Sequence, residues 1–179
     1  SLHISGDGEP DPRIQAELLV QDEYRVLASA RHPLAGQHGI GPAALLEQPW
    51  VFGRRLGTIE AAFGQRFAQA GLEPPSNAME TGSPEFLRAM VETGGYLTLL
   101  PLRLAQAELE AGRWRALDAP GFAWQRPVRV YTRAGEPQSA PLARFLQALR
   151  NAAAPLDRDS TRGDLPQDRL SYTYTIKAI

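Results

Sequence analysis

Two short stretches place groups that could hold an anion where a helix begins. "GRRLGT", residues 53–58, follows the apolar run "WVF" and sets Gly53, Arg54, Arg55 and Gly57 ahead of Thr58, while "METGSP", residues 79–84, sets Thr81, Gly82 and Ser83 ahead of Pro84. The first turn of a helix carries unpaired N–H groups and partial positive charge, so either stretch suits a carboxylate or a phosphate. The two arginines of the first stretch add forked donors. A plainer reading stands beside this one: Arg54 and Arg55 are solvated, and Thr58 and Ser83 are N-caps that only close their helices.

Gly94-Gly95, in "EFLRAMVETGGYLTLLP", has the opposite polarity. A phosphate loop sets its glycines after a strand and before a helix, whereas these follow a helix and lead into an apolar run. They are expected to form a corner, with positive φ at the helix C-terminus. His3, His32 and His38 stand in no metal-ligand spacing and no Gly-x-Ser-x-Gly context. His32, before Pro33, is expected to cap neighbouring backbone groups rather than act as a general base. Asp7, Glu9 and Asp11 alternate within a turn cluster and read as solvated. No serine nucleophile, no paired carboxylates with a shared role and no cysteine are present, so neither a catalytic centre nor a metal site nor a cofactor is expected.

The elements that would position these groups follow from period and punctuation. "AELLVQDEYRVLASA" reads as one or two strands, with Tyr24, Val26 and Ala28 alternating against Arg25, Leu27 and Ser29. "WVFG" is a short strand. Thr58 opens a helix in which Ile59, Ala62, Phe63, Arg66, Phe67 and Ala70 recur at helical spacing, and Gly71 ends it. "NAMET" is a second strand, and Ser83-Pro84-Glu85 starts a helix whose buried stripe is Phe86, Leu87, Met90 and Val91. "YLTLLP", "RWRALDAP" and "RPVRVYTRAG" are strands, residues 102–111 a short helix, and Leu142, Phe145, Leu146 and Leu149 mark a last amphipathic helix. Alternating strands and helices favour an α/β fold with parallel pairs.

At 179 residues, with 43% hydrophobic and 22% charged residues, the chain can bury one ordinary core or two small lobes. A net charge of -1 gives no basic field for duplex DNA. No run approaches a membrane span, and a soluble, cytoplasmic protein is expected. Beyond Ala154 a polar linker, residues 155–168, is expected, then a strand-like tail, 169–179, in which Leu170, Tyr172, Tyr174 and Ile176 alternate with Ser171, Thr173 and Thr175. Such a strand would add to a sheet edge, its own or a partner's.

In combination, "ELLVQDEYRVLASARHPLAG", "WVFGRR", "FAQAGLEPP", "METGSPEFLRAMVETGGYLTLLP" and "RPVRVYTRAGEPQSAPLARFLQAL" resemble the effector-binding domain of LysR-type transcriptional regulators, over about residues 2 to 150. The resemblance implies a two-lobed α/β fold like the type II periplasmic binding proteins, with parallel-rich sheets and a small, anionic effector held in an inter-lobe cleft. Residues 18–126 would form the second lobe, and residues 1–17 and 127–154 the returning part of the first. The family's cleft positions map onto Phe52, Gly53 and Arg54, onto Thr58, onto Thr81 and Ser83, and onto Ser5, Gly6 and Asp7.

The same resemblance implies a regulator and not an enzyme. It implies assembly as a homodimer or tetramer, with Phe63 and Phe67 partly at the interface. DNA would be reached only through a winged helix-turn-helix, expected upstream together with the opening strands and helices of the first lobe, which is therefore expected to be incomplete here. The corner departs from the family pattern, because the second glycine is adjacent to the first and Tyr96 stands in its usual place. The alternative is a solute-binding protein of the same fold that delivers its ligand to a transporter, and which would carry a signal peptide upstream.

Overall fold

A single strand of 16 residues, β1 (Ile14–Ser29), runs where one or two were expected. The computed structural model describes residues 12–53, 58–135 and 139–157. They fall into two compact units, one contiguous, Glu23–Trp124, and the other made of the residues on either side of it.

In the contiguous unit, β4 (Thr98–Pro101) and β5 (Trp114–Ala116) flank the second half of β1, both antiparallel, so that Leu27 lies opposite Thr98 on one side and Ala116 on the other. β2 (Trp50–Gly53) and β3 (Ala78–Thr81) pair in parallel, with Trp50 opposite Ala78 and Gly53 opposite Thr81. An isolated parallel bridge between Trp50 and Leu97, with the Val51 N–H on the Leu97 carbonyl at 2.9 Å, ties β2 to the start of β4. Parallel pairing thus occurs where helices carry the chain across: α2 (Thr58–Gln69) from β2 to β3, and α3 (Pro84–Thr93) from β3 to β4. The α/β class stands, but the pairs β1 makes with β4 and β5 are antiparallel, and the parallel β2–β3 pair forms a separate two-stranded sheet. The fifth helix in order, α5 (Ala140–Asp157), belongs to the other unit, and α1 (Pro42–Leu46) and α4 (Gln106–Glu110) are single turns.

Burial differs from the simple alternation expected for β1. Tyr24, Val26, Leu27, Ala28 and Ser29 are all buried, because this half of the strand is central and covered on both faces. Phe63 and Phe67 also differ from expectation. They are 3% and 0% exposed, inside an aromatic cluster with Trp50, Phe52 and Phe122, so they form the core of the unit instead of a surface for a partner. A second cluster, Leu27, Val51, Leu87, Val91, Ala105 and Trp114, packs α3 against the sheet.

The two corner glycines do different work. Gly94 has φ -93° and closes α3, its N–H bonding the Met90 carbonyl, and a Cβ there would stand 2.8 Å from that same oxygen. Gly95 alone takes the left-handed conformation, φ +68°, which turns the chain into β4. His32 braces this corner. Its Nδ1 accepts from the Leu34 N–H at 3.1 Å, its ring hydrogen-bonds to the backbone of Gly95, and burial pushes its pKa down, so it is a neutral structural cap as expected.

In the other unit the first half of β1, β6 (Trp124–Arg133), which pairs with β1, and α5 come together. Arg150 of α5 grips Glu17 of β1 with both ends of its fork, at 2.7 Å each. That hydrogen bond is the main reason the Glu17 carboxyl titrates below its usual range. A depressed folded-state pKa stabilises above the unfolded value and is lost as pH falls through the folded one. The melting-temperature gap between the wild type and Glu17→Gln is therefore expected to be open at pH 7 and to narrow as pH falls through and below the ordinary glutamate range; a gap independent of pH would contradict this. Helix α5 runs to Asp157, past the point where the linker was expected to begin. The remainder of that linker and the tail 169–179 lie outside the described residues.

Candidate functional site

The carboxyl ends of β2 and β3 lie side by side, which is where open α/β sheets place ligands. Gly53 and Thr81 are the last residues of the two strands and stand opposite each other in register. From Thr81 the chain turns at once into α3. The Thr81 hydroxyl accepts from the Ser83 N–H at 3.1 Å, and Ser83 Oγ accepts from the Phe86 N–H at 3.1 Å, which makes Ser83 the N-cap of α3. The Ser83 hydroxyl proton goes to Oε2 of Glu85 at 3.0 Å. The Glu85 carboxyl is held below its ordinary range, first by its own backbone N–H and then by Ser83. The first turn of α3 therefore already holds one carboxylate, the protein's own.

Gly53, Thr81, Gly82 and Ser83 line a cavity of about 570 Å³, together with Pro84, Leu87, Arg88, Leu100, Leu104 and Trp114. One wall is thus apolar, and Leu104 keeps 63% of its surface exposed. Arg88 brings the positive charge. Its Nε donates to Oε1 of Glu108 at 2.8 Å, and Arg113 approaches the same oxygen at 3.9 Å while bonding Glu92 at 3.2 Å. The arrangement can hold a small molecule with one anionic group against Arg88 and an apolar body on the leucines. No group of three or more acidic or histidine side chains among the described residues could hold a metal ion.

Of the residues expected from the sequence, Gly53, Thr81 and Ser83 meet at this cavity. Phe52 does not line it: its ring is 7% exposed and stacks on Trp50 at 5.5 Å, because alternation along β2 turns it into the aromatic core. Thr58 begins α2 as expected, and its side chain, with Arg54, Ser5, Gly6 and Asp7, lies outside what the structure describes. Sequence reasoning missed Arg88, Leu100, Leu104 and Trp114. Arg88 carried a signal: it is the one basic residue of α3 and sits in its N-terminal half, where the helix dipole does not favour a cation.

A sequence profile described as the LysR substrate binding domain matches residues 2–154. The chain belongs to this family. A RuBisCO operon transcriptional regulator of Acidithiobacillus ferrooxidans is 28% identical over 153 residues, 86% of this chain and 49% of that protein. A probable nitrogen assimilation transcriptional activator of Synechococcus elongatus is 36% identical over 85 residues, 48% of this chain and 27% of that protein. This LysR domain spans about half the length of the curated relatives it matches over most of its own. Those relatives are transcriptional regulators and not enzymes.

Among solved structures, the CcmR regulatory domain of Synechocystis PCC6803 in complex with 2-PG matches with a TM-score of 0.63 and 22% identity, over 81% of this chain and 70% of that one. The effector binding domain of QuiR in complex with shikimate matches at 0.60 and 15%, over 83% and 69%. These likenesses establish the LysR effector-domain fold, of the type II periplasmic-binding kind. No helix among the described residues is long and apolar enough to cross a membrane.

Proposed function

We propose that this LysR domain is the effector-sensing and dimerisation part of a bacterial transcription regulator, and that it binds a small organic anion in the cavity at the start of α3. The observation that carries this reading is the convergence of Gly53, Thr81, Ser83 and Arg88 on one cavity whose volume, about 570 Å³, lies within the range of small-molecule sites. Two complexes point the same way, since CcmR was solved with 2-PG and QuiR with shikimate.

The remaining parts of the proposal come from the family. The regulator works in the cytoplasm as a homodimer or tetramer, and it meets DNA through a helix-turn-helix outside this chain. Arg54, Thr58, Ser5 and Gly6 complete the effector contacts, and Phe52 backs the site from the core. The effector acts by binding one arrangement of the regulator better than another, which is the only way it can shift an equilibrium.

Titrating the chain with a panel of small carboxylates and phosphates, followed by calorimetry and by backbone amide shifts, tests this. Binding is expected to move the resonances of Thr81, Gly82 and Ser83. Thr81→Val is expected to weaken it by about 0.5–1.5 kcal/mol, the worth of one neutral hydrogen bond. Shift changes confined elsewhere on the chain would sink the site.

A further inference from the structure

Arg88 is half-exposed on the cavity wall, and the acid that holds it is not. The Glu108 side chain is 7% exposed against 45% for Arg88, and the two meet through a single bond, Nε to Oε1, at 2.8 Å. No hydrogen bond of Arg88 runs from either Nη to another described residue. A guanidinium is a rigid plane with five donors, so fixing its Nε edge fixes where the Nη groups point. Glu108 also has a second cation in reach, since Arg113 Nη2 stands 3.9 Å from the same oxygen, and Arg113 is itself tethered to Glu92. A ligand anion that draws on the charge of Arg88 therefore leaves the buried carboxylate still compensated.

We propose that Glu108 is a positioning residue of the effector site, its buried carboxylate holding Arg88 by one edge so that the free Nη groups receive a single carboxylate or phosphate. This rests on the effector reading given above and sharpens it to a class of ligand: a small acid with one anionic group, whose apolar body lies on Leu87, Leu100 and Leu104. Glu108 does not touch the ligand. Its effect passes through the orientation of Arg88.

The experiment measures binding of shikimate, its methyl ester and inorganic phosphate to the full 179-residue chain by calorimetry, for the wild type, Glu108→Gln and Glu108→Ala. The glutamine variant keeps an acceptor for Nε without the charge, and the alanine variant removes the acceptor as well. The expected result is weaker binding of both anions, by two- to threefold in Glu108→Gln and about tenfold in Glu108→Ala, with the ester unaffected. Tighter anion binding in either variant would make Glu108 a competitor of the ligand and overturn the proposal. So would an equal loss for the ester, which marks a general packing defect. If Glu108→Ala does not fold, the direction of the change in Glu108→Gln decides alone. A wild type that binds neither anion overturns the effector reading and the proposal with it, whereas a wild type that binds both, with the two variants unchanged, overturns the proposal only.

Discussion

Phe63→Ala is expected to cost the Glu23–Trp124 unit about 3–5 kcal/mol, the range for removing a large aromatic ring from a packed core. Phe63 is the hub of the aromatic cluster. Its ring centroid lies 4.7 Å from Trp50, 5.3 Å from Phe52, 5.0 Å from Phe67 and 5.8 Å from Phe122, mostly edge to face. These rings come from β2, from α2 and from the turn at 120–122, so none of them can close the gap without moving its own element. Chemical denaturation followed by tryptophan fluorescence measures the loss. Phe145→Ala is the comparison, because Phe145 is 43% exposed and its removal should change stability by no more than about 1 kcal/mol. Similar losses for the two would mean that Phe63 lies nearer a surface than its 3% exposure says.

Arg88→Gln is expected to weaken a bound organic anion by about 1.5–3 kcal/mol, the worth of a hydrogen bond to a charged group, or roughly ten- to a hundredfold. Glutamine keeps some length and polarity at the cavity wall but offers neither the charge nor the fork. The same change leaves Glu108 with only the more distant Arg113, so a modest fall in melting temperature should accompany it. Arg88→Lys separates the two effects. It restores the charge but not the planar donor set, and binding should recover only in part. Wild-type affinity in Arg88→Gln would remove Arg88 from the site.

Local punctuation in the sequence was easy to read. Ser83-Pro84 starts α3 where expected, Thr58 begins α2, Gly71 follows α2 at φ +71°, and the corner at Gly94-Gly95 is a corner. Each of these is a backbone rule acting over four or five residues. The strands were legible as segments but not as neighbours, because pairing joins residues far apart in the chain, such as Leu27 with Ala116 or Gly53 with Thr81. The same limit applied to the site. Thr81 and Ser83 could be proposed because they adjoin a helix start, whereas Arg88, Leu100, Leu104 and Trp114 reach the cavity from α3, β4, the turn after it and β5. Phe63 and Phe67 were misplaced for a related reason: an apolar stripe has the same spacing whether it faces a core or a partner.

The two units differ in how the chain is spent on them: Glu23–Trp124 is one uninterrupted stretch, while the other unit needs residues from both sides of it. During synthesis the contiguous unit has all its strands and both aromatic and aliphatic cores once Trp124 has left the ribosome. The first half of β1 must wait for β6 and α5, and Glu17 must wait for Arg150. At about 5–20 residues per second, that interval is on the order of two to seven seconds. For that time the cavity at the start of α3 can exist while the first half of β1 still lacks its partners.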